Sequence, residues 1–145
     1  MLKMKKLLLL LTICAMAMPA IAQKAGVVNK INTDEFVNKI GFINQNDTSF
    51  VFTGERPAIV DFSATWCGPC RALAPVLEEL ATDFKGKVDF YCIDVDSNRE
   101  LATSLQIRSI PFIIFFPKNG TPKTLTGSLP KEVLAGKIKE LLLNK

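Results

Sequence analysis

Two cysteines separated by two residues, Cys67 and Cys70, are the side chains of this sequence best suited to chemistry. They follow an apolar run over 58–63, typical of a buried strand, and precede apolar residues at helical spacing over 73–84. If the helix begins between the cysteines, its free N–H groups and its dipole favour a thiolate on Cys67. This spacing predicts thiol–disulfide exchange, in which Cys67, the outer sulfur, attacks a disulfide and the shielded Cys70 resolves the resulting mixed disulfide.

The two residues between the cysteines fit this interpretation. Gly68 lets another chain approach closely, and Pro69 suits a first helical turn because it has no N–H to leave unsatisfied. Half of a zinc site has the same spacing, but the chain has no histidine and offers only Cys92 as a further thiol after the first segment. We therefore predict no metal and no cofactor. A static structural disulfide is the other alternative, although a crosslink over three positions removes little chain entropy.

The first segment has the pattern of a secretory signal peptide over residues 1–22, followed by one domain over 23–145. It begins with three lysines, continues with an apolar run over 7–18 and ends with the small residues Ala20 and Ala22. The run is short for a membrane anchor, which is one alternative. Attachment as a lipoprotein through Cys14 is the other, and Ile13 argues against it because a small residue is needed there. We expect a periplasmic or secreted protein, where thiols meet oxidising surroundings.

Composition limits the remaining function classes. The 145 residues are 48% apolar and 22% charged, which is typical of one folded domain and not of a disordered chain. The net charge is +4, but three of the basic residues lie among the first six positions, so the rest is close to neutral. A near-neutral body gives no electrostatic basis for binding nucleic acid or a membrane surface.

Strand and helix patterns alternate along the mature chain and predict an α/β fold, a central mixed β-sheet flanked by helices on both faces. Residues 44–57 carry the polar and turn-forming side chains of a loop. The expected strands are 58–63, 88–95, 110–116 and 121–126, and the expected helices begin near 33, near 70, at 98 and at 130.

The active-site pentapeptide closely resembles that of the thioredoxin family: Trp66-Cys67-Gly68-Pro69-Cys70. The resemblance covers about residues 30–145 and includes Pro111 before a strand and Gly127 before the last helix. It implies the thioredoxin fold. It also implies that Cys67 is the nucleophile, Cys70 the resolving thiol, and Asp61 the buried carboxylate that handles the proton of Cys70.

Physical arguments stand beside the implied role of Asp61. A buried, unpaired carboxyl has a raised pKa and can take a proton from Cys70 at neutral pH. The alternative is a carboxylate satisfied by backbone donors. Two positions depart from the family: Ser63 replaces a frequent Trp, and Cys92 stands where a buried Lys is common, which removes a charge partner from Asp61. Cys92 itself is either a small buried apolar side chain or part of a second disulfide.

The resemblance also implies a substrate-binding surface. Pro111 resembles a cis-proline that faces the disulfide, and a cis bond there exposes the backbone of Ile110 to a substrate strand. We expect Trp66, Gly68 and Pro69 to contribute to this surface. Gly127 is expected to contribute to it as well. Plain core packing is the alternative for Trp66.

Together these features predict a monomeric protein-disulfide reductase that acts outside the cytoplasm on disulfide-bearing proteins. A reductant there needs electrons from a membrane or soluble donor. A disulfide oxidase or isomerase, and a non-catalytic binding module with the same fold, are the alternative functions.

Overall fold

The computed structural model describes residues 26–43 and 49–144. The predicted signal peptide, including Cys14, lies outside these residues. In the part of the chain that is described, no helix is long and apolar enough to cross a membrane.

The described residues form seven strands and four helices. The strands are β1 Val28–Lys30, β2 Gly41–Ile43, β3 Phe50–Phe52, β4 Ala58–Ser63, β5 Asp89–Asp94, β6 Phe112–Phe116 and β7 Lys123–Thr126. The helices are α1 Thr33–Lys39, α2 Gly68–Asp83, α3 Arg99–Ser104 and α4 Lys131–Ile138, and α4 continues into a π-helical segment, Lys139–Leu143.

Five strands form the main sheet, in the order β1-β5-β4-β6-β7. Strands β1, β5 and β4 are parallel, whereas β6 and β7 run antiparallel to their neighbours. Strand β4 lies in the middle and is buried on both faces, which explains its nearly continuous apolar sequence. The α/β fold with a central mixed sheet, predicted from the sequence, is confirmed.

Alternate residues of the central strands point into two separate cores. Ile59 and Ile113 pack under α2 and α4, whereas Val60 and Ile114 pack against α1 and α3. Because side chains alternate along a strand, Asp61 shares the α2 face with Ile59. The sheet thus places this carboxyl beneath the helix that carries the cysteines.

A small antiparallel hairpin of β2 and β3 was not predicted, and residues 50–52 fall within the segment interpreted as a loop. The prediction was wrong there because each strand has only three residues, too few for a periodic pattern to be read. The two phenylalanines of β3, Phe50 and Phe52, are half-buried against the core on the α1 side, and the Phe50 ring lies 5.0 Å from that of Phe116.

Candidate active site

The turn from β4 into α2 places Cys67 at the cap position of the helix. Strand β4 ends at Ser63, and α2 begins at Gly68 with Pro69 in its first turn. The sulfur of Cys67 accepts the backbone N–H of Cys70 at 3.3 Å. No acidic side chain occupies the first turn, so no carboxylate opposes a thiolate at this end of the helix.

Cys67 and Cys70 form a disulfide with their Cα atoms 5.3 Å apart. Cys67 is 5% exposed and Cys70 is 4% exposed. As whole residues the two cysteines are thus about equally buried, and both pack against Ala64 and the half-buried Ile110. That Cys67 carries the outer sulfur stays a prediction. What distinguishes the two cysteines is the polarity around each of them.

Asp61 lies on the Cys70 side and is only 2% exposed. Among the described residues, nothing donates a hydrogen bond to its Oδ1 atom. Burial raises the pKa of Asp61 from 3.8 to about 7. The alternative of a carboxylate fully satisfied by backbone donors does not apply to this oxygen, and at neutral pH the group can hold or release a proton.

A second buried carboxyl, Asp89, shows how a structural acid differs from Asp61. The Oδ1 atom of Asp89 accepts hydrogen bonds from Nε and Nη2 of Arg56 at 3.0 and 2.8 Å. A buried carboxyl with such a partner has its hydrogen-bonding and charge requirements met by the protein itself. Asp61 has no comparable partner in the described chain. Buried carboxyls without a partner are uncommon, and such groups are often ones that exchange a proton in the reaction.

Cys92 lies on β5 directly opposite Asp61 in the parallel register. It is a free thiol, and its sulfur is 3.2 Å from the hydroxyl of Ser63. Burial raises the pKa of Cys92, so the group next to Asp61 is neutral at physiological pH. The second disulfide considered for Cys92 is absent from the described residues.

Trp66 lies at the surface with 66% of its area exposed, so the core-packing alternative was wrong. Its indole N–H donates to Oδ2 of Asp96 at 2.7 Å. That hydrogen bond holds an apolar ring in solvent beside the disulfide, an arrangement suited to contact with another protein.

The segment before β6, which contains Ile110 and Pro111, lies beside the disulfide. The peptide bond between Ile110 and Pro111 is cis, and the carbonyl of Pro111 accepts the N–H of Gly127 at 2.8 Å. Gly127 has a φ of +91°, which favours glycine. Ile110 and Trp66 line a common groove of about 340 Å³.

Gly68 and Pro69 are both exposed at the start of α2. A Cβ atom added at Gly68 would have no neighbour within 4 Å. The space beside Gly68 is therefore open, which leaves room for a second chain there. Of the residues predicted for the substrate surface, Ile110 packs against the disulfide, and Gly127 is hydrogen-bonded to the next residue, Pro111.

Sequence reasoning missed Asp96, which orients Trp66, and Arg71, whose Nη1 donates to the carbonyl of Thr65 at 3.1 Å. The position of Asp96 near Trp66 could have been predicted from the sequence. Neighbouring parallel strands end at the same edge of a sheet, so residues that follow β5 lie near residues that follow β4. Within 26–43 and 49–144, no group of three or more His, Cys, Asp or Glu residues could hold a metal ion.

A mixed sheet with a disulfide at the start of a helix and a cis-proline beside it defines a thiol–disulfide oxidoreductase with the thioredoxin fold. The thioredoxin family model matches residues 36–140. A thioredoxin of Borreliella burgdorferi is 37% identical over 110 residues, which are 76% of this chain and 93% of that protein. A thioredoxin of Staphylococcus aureus is 53% identical over 78 residues, 53% of this chain and 74% of that protein.

A solved structure, chloroplastic thioredoxin z, is similar with a TM-score of 0.63 and 33% identity over 79% of this chain and 93% of that one. This chain belongs to the thioredoxin family. It is a thioredoxin-type thiol–disulfide oxidoreductase, a reductase of protein disulfides.

Proposed function

We propose that this protein reduces disulfides of protein substrates outside the cytoplasm, through a mixed disulfide formed by Cys67 and resolved by Cys70. The observation that carries the proposal is the position of the Cys67 sulfur at the start of α2, where it accepts the N–H of Cys70. Backbone N–H groups at a helix start stabilise a thiolate, and the thiolate is the nucleophile in disulfide exchange.

The reaction proceeds in two displacements. The thiolate of Cys67 attacks one sulfur of the substrate disulfide, forms the mixed disulfide and releases the first substrate thiolate. Cys70 then loses its proton and attacks the sulfur of Cys67, which forms the Cys67–Cys70 disulfide and releases the second substrate thiolate. The protein is oxidised by two electrons, and the substrate gains them.

Asp61 handles the proton of the second displacement. Its ionised carboxyl takes the proton of Cys70 as that sulfur becomes a nucleophile, directly or through water. The pKa of about 7 that burial gives Asp61 suits this step, because the group is then present in both protonation states near neutral pH. Asp61 and Cys70 line one cavity, whereas Trp66 lines a separate groove.

The order of attack is tested by trapping. Cys70→Ser leaves the attacking thiol in place and removes the resolving one, so covalent complexes with substrate proteins should accumulate through Cys67. The matched control is Cys67→Ser combined with Cys70→Ser, which should trap nothing. Mass spectrometry that finds no Cys67-linked complexes of Cys70→Ser would contradict the proposed order.

The proposed location depends on residues 1–22 acting as a signal peptide. Expressed with its full sequence in a bacterium, the protein should appear outside the cytoplasm with Gln23 as its first residue. Fusion of residues 23–145 alone to a reporter should stay inside. Intact mass of the exported protein checks the cleavage, and a mass that includes residues 1–22 would contradict it.

A reductant in that location must be re-reduced by a donor, a membrane protein or a soluble one, that carries electrons across the boundary. The direction of electron flow is tested by redox equilibrium with glutathione. A midpoint potential in the range of reducing thioredoxins is expected. A potential far above that range would instead identify a disulfide oxidase.

A further inference from the structure

The groove beside the disulfide is lined by a single charged residue, Arg108, which is exposed. The other residues that line it are uncharged: Trp66, Val95, Ala102, Ile107, Ser109 and Ile110. The groove begins next to the disulfide, because Ile110 also packs against the cluster that contains Cys67 and Cys70. A substrate segment joined to Cys67 therefore passes close to Arg108.

The charge of Arg108 has no counterpart within the described chain. No ion pair or side-chain hydrogen bond joins its guanidinium to another residue of 26–43 or 49–144. Arg56 is different, because its guanidinium is bound to the buried carboxyl of Asp89. An exposed guanidinium without a partner keeps all its donors available for a carboxylate that arrives from another molecule.

Two further arginines lie next to residues that surround Trp66. Nη1 of Arg71 donates to the carbonyl of Thr65 at 3.1 Å, and Nε of Arg99 donates to the backbone carbonyl of Asp96 at 3.3 Å. Both acceptors are neutral, so both arginines keep their full charge. The one acid in these contacts is Asp96, whose Oδ2 atom accepts the indole N–H of Trp66. Together with the guanidinium of the groove, three cations face one carboxylate, and the surface around the indole ring is positive.

Two other acids of this end of the sheet do not line the groove. Asp94 lines the cavity shared by Asp61 and Cys70, and its Oδ1 atom accepts two backbone N–H groups at 2.8 and 3.2 Å. Glu100 lines a different cavity at the start of α3. The charge within the groove is thus that of Arg108. A positive rim attracts acidic segments to a binding surface and disfavours basic ones.

We propose that Arg108 makes this protein select substrates with an acidic side chain within a few residues of the disulfide that Cys67 attacks. The substrate carboxylate pairs with the guanidinium of Arg108, and the apolar part of the same segment contacts Trp66. No bond forms or breaks at Arg108, so its effect is on the rate at which a substrate docks. The inference rests on the proposed function, because a preference among substrates requires that Cys67 attack them.

The first test compares three synthetic peptides that differ only in charge. Each contains the same intramolecular disulfide, flanked on both sides by Asp, by Ser or by Lys. Pre-reduced protein is mixed with each peptide, and the second-order rate constant is measured by acid quench and mass spectrometry. Reduction of the same peptides by uncharged dithiothreitol corrects for the intrinsic reactivity of each disulfide. Wild type should reduce the Asp peptide about tenfold faster than the Lys peptide, with the Ser peptide between them, and added salt should lower this ratio.

The second test assigns the preference to Arg108. Arg108→Gln should lower the Asp-to-Lys ratio to about threefold, because Arg71 and Arg99 remain, and Arg108→Glu should bring it to about one or below. The matched controls are Lys87→Gln and Lys87→Glu, which change the net charge equally at an exposed residue outside the groove, before β5. They should keep the wild-type ratio. Each ratio is taken within one variant, so a partly folded sample does not alter it. Equal ratios for the Arg108 and Lys87 variants would overturn the proposal.

Failure of this preference can be told apart from failure of the proposed function. A wild-type protein that reduces all three peptides at the same corrected rate carries out the proposed reaction without the preference, and only the inference on Arg108 is then overturned. A wild-type protein that reduces none of the three peptides would contradict the proposed function and, with it, the preference.

Discussion

Cys67 and Cys70 are about equally buried as whole residues, but the two sides of their disulfide differ in what surrounds them. On the Trp66 side, the start of α2 supplies backbone N–H groups and an exposed aromatic ring. On the Asp61 side, a cavity contains a neutral thiol and an unpaired carboxyl. Exposure alone therefore cannot assign the roles of the cysteines. Local polarity assigns them.

This comparison shows that the surroundings of one disulfide can stabilise a charged group at Cys67 and disfavour charge on the Cys70 side. Backbone dipoles stabilise an anion without a neighbouring cation, so Cys67 can ionise although little of it is exposed. On the Cys70 side, burial favours neutral forms, and it raises the pKa of Asp61 and of Cys92.

The largest expected effect removes the nucleophile from the Trp66 side. Cys67→Ser should lower insulin-reduction turnover by about 10³-fold or more, to background, because no other described thiol occupies the cap position of a helix. Cys92→Ser, the matched control on the other side, should stay within about twofold of wild type. Equal and negligible rates for wild type and Cys67→Ser would instead indicate a binding module.

A large effect is also expected on stability when Asp61 becomes Asn. Because the folded pKa is about 7 and the unfolded value 3.8, the folded protein retains a proton that the unfolded chain has lost at intermediate pH. The wild-type free energy of unfolding should therefore fall as the pH rises from about 4 to about 7, by roughly 4 kcal/mol. Asp61→Asn lacks this loss and should be the more stable protein at pH 8.

Urea unfolding at pH 5 and pH 8 measures this difference. Asp89→Asn is the matched control, because Asp89 is a buried carboxyl paired with Arg56. That variant should be less stable than wild type at both pH values, since it leaves the guanidinium without its partner. A wild-type stability that does not decrease between pH 5 and pH 8 would show that Asp61 is not the uncompensated acid described above.

A smaller difference is expected in the pH dependence of alkylation. In the reduced protein, Cys67 should react with iodoacetamide below the pH at which a free thiol does, whereas Cys92 should react only above it. Peptide mapping at several pH values separates the two cysteines. Reaction of Cys67 only in the alkaline range would contradict the role assigned to the helix start.

The smallest effect is expected for Cys92→Val. The valine keeps a small apolar side chain opposite Asp61 and loses the contact between Cys92 and Ser63. Stability should change by less than about 1.5 kcal/mol, measured by urea unfolding, because the volumes are similar. A much larger loss would show that the thiol contributes more than packing.

Much of the site could be predicted because its signals are local. The spacing of Cys67 and Cys70, the strand before them and Pro69 after Cys67 all lie within one stretch, and helix capping acts over a few residues. Asp61 could be predicted as buried because a carboxyl inside a continuous apolar strand has no exposed face to occupy. The signal peptide stays a prediction.

The sequence by itself determined the order of the longer strands and helices and the residues of the cysteine motif, since periodicity and turn chemistry are short-range. Only the tertiary structure decided that the two cysteine residues are about equally buried, that Asp96 holds Trp66, and that Cys70 and Asp61 line one cavity. These properties depend on strands and helices far apart in sequence. Their packing fixes which polar groups gain a partner and which, like Asp61, do not.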